Sequence, residues 1–192
     1  MFLKIGQPSD HGFDQPLGLL SDCHRRIEHF LSVLCTTADR ARGGPLTPAE
    51  QRQLEDALRY FATAAPKHTA DEEDSVFPRL RRANEPAALE ALDTVRRLER
   101  DHQQANEHHA EIDRLGRLWL VRGALAAEDT GALRGRLSRL TAIYRDHIRV
   151  EDQELFPAAA RLLSAADLRE IGGEMAARRQ GPSRPPTGAP RS

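Results

Sequence analysis

The stretch KHTADEEDSVFP, residues 67–78, returns in altered form as DHIRVEDQELFP at 146–157. In both copies a histidine is followed four positions later by Glu, then by an acid, and Phe-Pro closes the stretch. His68, Glu72, Phe77 and Pro78 therefore correspond to His147, Glu151, Phe156 and Pro157, each pair 79 positions apart. Upstream of each copy stands one more histidine in an Asp-containing stretch, His24 in DCHRRIEH (22–29) and His102 in DHQQANEHH (101–109). A repeat of this length with helical spacing inside it describes a duplicated two-helix unit. Two such units make four helices.

Start and stop signals place those helices. The first is expected from about Pro16 to Arg42, between Asp14 and Pro16 at one end and Gly43-Gly44-Pro45 at the other. The second opens on TPAE, with Thr47 as cap and Glu50 closing a capping box, and reaches about Arg82. Pro66 inside it predicts a kink just before the acidic run. The third runs from about Asn84 to Gly123, and the fourth begins after EDTG (128–131). Each carries an apolar stripe, such as Leu17, Leu20, His24, Ile27, Leu31 and Leu34 on the first helix, at the alternating three and four spacing of a left-handed bundle. The expected fold is all-α, an up-down-up-down four-helix bundle over 16–163. An extension (1–15) precedes it; a short helix (164–180, capped by Ser164) and a disordered Pro/Gly/Ser-rich tail (181–192) follow.

All four stripes contain a histidine where a core wants leucine. His24 lies about 18 residues before the first turn and His68 about 20 after it, so both sit ~27–30 Å from that turn. His102 and His147 are level within about one helical turn at the equivalent depth. One layer of the bundle thus holds four imidazoles and, through the His-x3-Glu spacing, the carboxylates of Glu72 and Glu151 on the same helix faces. Burying so many polar groups costs several kcal/mol each unless they are satisfied together, and a cation satisfies them together. Six mixed nitrogen and oxygen donors suit a pair of iron ions, with manganese second. The absence of thiolates argues against structural zinc.

Composition narrows the remaining choices. A formal net charge of −1 over 192 residues gives no reason to expect nucleic acid or an acidic substrate as partner. No apolar run approaches a membrane span, and MFLKIGQPSD lacks a signal-peptide core, so the expected location is the cytoplasm. Cys23 and Cys35, ~18 Å apart along one helix, are expected to be free thiols.

These motifs, His24, His68-x3-Glu72, His102 and His147-x3-Glu151, resemble those of the hemerythrin-like, HHE cation-binding family over about residues 16–160. The resemblance implies a non-haem di-iron centre held by those six residues. It implies binding or reduction of a small oxidant such as dioxygen, nitric oxide or peroxide, in oxidative or nitrosative stress. Iron or oxygen sensing, or iron storage without turnover, is the alternative. Oxygen carriers of the family have a second histidine four residues after the one on the third helix, and an aspartate five residues after the last histidine. Asn106 and Glu151 stand here instead, which points away from reversible oxygen carriage. Tyr144, one turn before His147, is the candidate catalytic side chain, a phenol able to hydrogen-bond a molecule held at the centre. His109 is expected as a core or supporting residue, and Glu28 and Asn106 as flanks of the ligands. His11, His29 and His108 lie off the stripes.

Overall fold

The computed structural model describes residues 10–83 and 86–180, so the expected tail at 181–192 and most of the N-terminal extension lie outside the described residues. Four helical arms form the bundle. The first is α1 (Pro16–Ala41). The second is a broken arm of α2 (Pro48–Thr63), α3 (Ala65–Asp71), one π-helical turn (Glu72–Val76) and α4 (Phe77–Arg82). The third is α5 (Pro86–Arg122), and the fourth joins α6 (Ala127–Val150), a second π turn (Glu151–Leu155) and α7 (Phe156–Leu162). Helix α1 lies against α2 and α6, and α5 against the same two, so sequence neighbours pack antiparallel around one axis.

Local chemistry explains the boundaries. Arg42 and Gly43 take left-handed φ values of 48° and 78°, which ends α1. Thr47 and Glu50 form the capping box reciprocally, with Thr47 N–H donating to Glu50 Oε2 at 2.9 Å. Two bonds tie the short connections together at this end: Leu125 N–H donates to the Gly43 carbonyl at 2.8 Å, and Trp119 Nε1–H to that of Gly44 at 2.9 Å. Pro66 does more than kink the second arm. The helix breaks at Ala64, whose φ of −98° separates α2 from α3, and the His68 N–H to Ala64 carbonyl bond is stretched to 3.4 Å. Contrary to the sequence expectation, the fourth arm does not wait for EDTG to end. It starts at Ala127, because Glu128 and Asp129 in the first turn complement the positive end of the helix dipole.

The apolar stripes do not fuse into one core. One cluster, with Ile27, Leu54, Phe61, Ile112, Trp119 and Leu140, fills the end near the tied loops. A second, with Leu20, Phe77, Leu98, Val150, Phe156 and Ile171, fills the other end. The histidine and glutamate layer lies between them.

Helix α8 (Ala165–Gln180), capped by Ser164 with Asp167, closes the second cluster by packing on α1 and α3. Its Arg178 and Arg179 grip the fully buried Asp71 at 2.8 and 2.6 Å, while Glu170 and Glu174 receive the buried Arg79 at 3.0 and 2.8 Å. Ile171 is wholly buried beneath it. Ile171→Ala is expected to cost about 2–5 kcal/mol of unfolding free energy in denaturant melts. A loss below about 0.5 kcal/mol would mean that α8 contributes nothing to the folded core.

Candidate metal centre

Each half of the duplicated unit builds its part of the layer in the same way. His68 and His147 stand one turn before Glu72 and Glu151, and both glutamates open a π turn in which the Phe77 and Phe156 N–H groups reach back five residues to the glutamate carbonyls. Pro78 and Pro157 explain the wide turns: a proline has no N–H for the preceding turn and its ring crowds that carbonyl. The phenylalanine before each proline lies nearly parallel to the histidine of the other unit's entry helix. Phe77 lies 6.3 Å from His102, and Phe156 5.6 Å from His24, ring centre to ring centre. Both faces of the repeated Phe-Pro thus serve the layer.

The six residues come together and are all at least 94% buried. Glu72 turns Oε1 to His68 Nε2 at 3.2 Å and Oε2 to His102 Nε2 at 3.3 Å. Glu151 turns Oε2 to His24 Nε2 at 3.0 Å and Oε1 to His147 Nε2 at 3.1 Å. Every carboxylate oxygen faces one imidazole nitrogen, and each carboxylate spans both histidine pairs, His24 with His68 and His102 with His147. Despite these short distances, none of the four oxygens has a hydrogen-bond partner, because the angles are wrong for one. Two four-donor sets result, His24, His68, Glu72, Glu151 and Glu72, His102, His147, Glu151, each with its donor atoms within 4.8 Å of one another. His102 Nε2 and His147 Nε2 are within a hydrogen bond of each other at 3.1 Å, but four buried carboxylate oxygens left without a hydrogen-bond partner fit a metal-binding layer.

The outer imidazole nitrogens are held by acids that the sequence reading had not assigned. His24 Nδ1 meets Asp152 at 3.0 Å and His102 Nδ1 meets Glu73 at 2.8 Å. Asp101 lies 3.5 Å from His147 Nδ1. Glu73 and Asp152 occupy the same place in the two repeats, the acid after the layer glutamate, so the repetition itself is the signal. His147 Nδ1 makes no hydrogen bond despite the nearby Asp101, and His68 Nδ1 has neither a hydrogen bond nor an acid beside it.

Charge in the layer follows from these contacts. Burial opposes protonation of His24, yet Asp152 and Glu151 raise its pKa to about 10. Against the same burial, Glu72 and Glu73 raise His102 to about 10, and Glu151 with Asp101 raises His147 to about 9. His68, buried beside His24 and without an acid of its own, falls well below the usual range. Burial and the neighbouring Glu151 push Glu72 up to about 7; burial would raise Glu151 too, but His147 and His24 hold it well below the carboxylate range.

The remaining candidates fall outside the layer. Glu28 is exposed and is not among the donors, in keeping with its expected place as a flank. Asn106 is exposed at a cavity described below. The Tyr144 ring stands edge-on to His147 with centroids 6.4 Å apart, and its hydroxyl is 2.8 Å from His109 Nε2. Burial brings His109 down to about 4, and burial with the Glu72 and Glu151 charges raises Tyr144. His11 bonds Asp22 and so pins the start of α1. Both cysteines are free, with pKa values raised by burial, and so are poor nucleophiles.

Removing an acid that orients a ligand imidazole is expected to weaken metal affinity about 10–100-fold. Glu73→Ala and Asp152→Ala, titrated against a chelator with Co²⁺, check this. Unchanged affinity in both would mean that these acids do not support the site.

Comparison with known proteins gives the same picture. A Haemophilus influenzae protein described only as uncharacterized is 28% identical over 179 residues, covering 93% of this chain and 98% of its own. No helix among the described residues is long and apolar enough to cross a membrane. Residues 15–159 match the hemerythrin HHE cation-binding domain, and the chain belongs to that family.

Proposed function

We propose that the protein is a cytoplasmic, non-haem di-iron protein that binds or reduces a small oxidant. The observation that carries this reading is the placement of two carboxylates so that each presents its oxygens to both histidine pairs. A single ion needs no such division; two adjacent ions do. His24 with His68 would hold one ion and His102 with His147 the other, with Glu72 and Glu151 shared. Iron supplies the one-electron steps that dioxygen, nitric oxide or peroxide chemistry requires. The chain supplies the rest. The two apolar clusters exclude bulk water from the layer, Glu73, Asp152 and Asp101 fix the imidazole orientations, and Tyr144 offers a hydroxyl on the open side.

Two measurements test the reading. Iron content should be about two per chain, and Glu72→Ala or Glu151→Ala should lose at least one ion while circular dichroism stays helical, since the apolar clusters supply most of the folding energy. Retention of both irons by either variant would show that the carboxylates are not shared.

Asn106 bears on the type of chemistry. Where a histidine at this position would add a donor to the His102 side, asparagine leaves both ions with the same number of protein ligands. The reduced protein is therefore expected to oxidise in air rather than to bind oxygen reversibly, and Asn106→His to slow that oxidation. Stopped-flow absorption after mixing with oxygen decides it. A spectrum that returns to the reduced form when oxygen is removed contradicts the expectation. Steady-state consumption of nitric oxide or peroxide separates turnover from sensing or storage.

A further inference from the structure

A cavity of about 240 Å³ opens between α3 and α5 beside the metal-binding layer. Its mouth carries the exposed Asp74 and Asn106; its inner wall is Tyr144, His109 and Glu73. The wall is one side chain thick. Glu73 bonds His102 on its far side, and the Tyr144 ring meets His147. A second cavity of about 160 Å³ shares Phe61 and His109 with the first but is largely apolar, with Leu58, Ala62 and Ile112.

The duplication sets the residues around this space against their counterparts in the other half of the molecule. The residues that leave room for it are Ala65, Thr69 and Ala70 on α3 and His109 on α5. Their sequence counterparts are Tyr144, Ile148 and Arg149 on α6 and Leu31 on α1; Tyr144 itself lines this cavity, and Ile148 and Leu31 belong to the seam between α6 and α1. Ile148 and Leu31 are large, apolar and buried. At the level of the layer, Ile148 and Leu31 thus put apolar bulk where their counterparts Thr69 and His109 line a cavity, while nearer the tied loops the α1–α6 seam has a separate cavity of about 290 Å³ beside Cys35, Arg134 and Leu137. The break at Ala64 forced by Pro66 lies beside the first cavity.

We infer that this cavity is the binding site through which an oxidant of the peroxide class reaches the centre, received by the Tyr144 hydroxyl and the His109 ring. The inference rests on the proposed redox function and selects among its oxidants. Hydrogen peroxide donates and accepts hydrogen bonds, and the lining offers both: a phenol, an imidazole nitrogen, the Asn106 amide and the Glu73 carboxylate. Dioxygen and nitric oxide gain little from such groups and are better matched to the apolar neighbouring cavity. Burial keeps His109 neutral, so its Nε2 serves as acceptor or donor to the Tyr144 hydroxyl according to tautomer.

The test uses the iron-loaded full chain in stopped flow. The reduced protein is mixed with hydrogen peroxide, which goes to two waters with two electrons from the reduced centre and two protons; a second arm uses dioxygen. Asn106→Phe fills the mouth from an exposed position that tolerates a larger side chain, and should slow the peroxide reaction at least about tenfold. Tyr144→Phe keeps the ring and should slow it about five- to tenfold. Glu28→Phe, the counterpart of Asn106 in the other seam, should leave it unchanged. Azide association with the oxidised protein, which involves no turnover, should slow in parallel in Asn106→Phe, with iron content and helicity retained. Both variants reacting with peroxide and azide at the unmodified rate, in a protein that holds two irons, overturns this inference alone. Equal losses with dioxygen overturn the peroxide assignment. An unmodified protein that holds no iron overturns the functional reading and this inference together.

Discussion

The structure depends on one constraint: two carboxylates and four imidazoles share a dry layer between two apolar clusters. A layer of that kind is expensive to bury, and the surrounding elements can be read as the means of supporting it. The π turns reconcile a glutamate of the layer with the proline six residues later. The repeated phenylalanines cover His24 and His102 from the second cluster, acids in the π turns bond the outer nitrogens of the same two rings, and Asp101 on α5 lies 3.5 Å from that of His147. Helix α8 then seals the far end through Asp71, Arg79 and Ile171.

Duplication gives the layer a near two-fold symmetry, and the departures from it carry information. Asp101 lies beside His147, but the residue in the matching place before His24 is Cys23, so His68 Nδ1 is left without an acid. The two histidine pairs therefore differ in electrostatics although they share both carboxylates. Tyr144 and Ala65 are likewise counterparts of unequal size, and both line the same cavity, the small one leaving room and the large one presenting its phenol. A symmetric scaffold has become a two-sided site.

Much of this was legible in the sequence because helical periodicity converts spacing directly into depth and facing. The first, third and fifth helices end within two residues of where caps and breakers placed them. The six residues of the layer meet because their distances from the turns match. Features set by tertiary contact were not legible. Asp129 and Gly131 read as a loop, yet the helix dipole and the packing of Leu133 and Leu137 extend α6 back to Ala127. Asp101 lies on a different helix from His147, and nothing in local spacing pairs them. Nor does the sequence show that Arg178 and Arg179 end at a buried Asp71 more than 100 positions away.

The central claim is that two metal ions lie side by side, each with its own pair of histidines and both sharing Glu72 and Glu151. Anomalous diffraction at the iron absorption edge, on crystals of the iron-loaded protein, measures this directly. Two peaks about 3.5–4 Å apart are expected, one beside His24 and His68 and the other beside His102 and His147. A single peak at full occupancy, or two peaks of which either lies away from the glutamates, would contradict it.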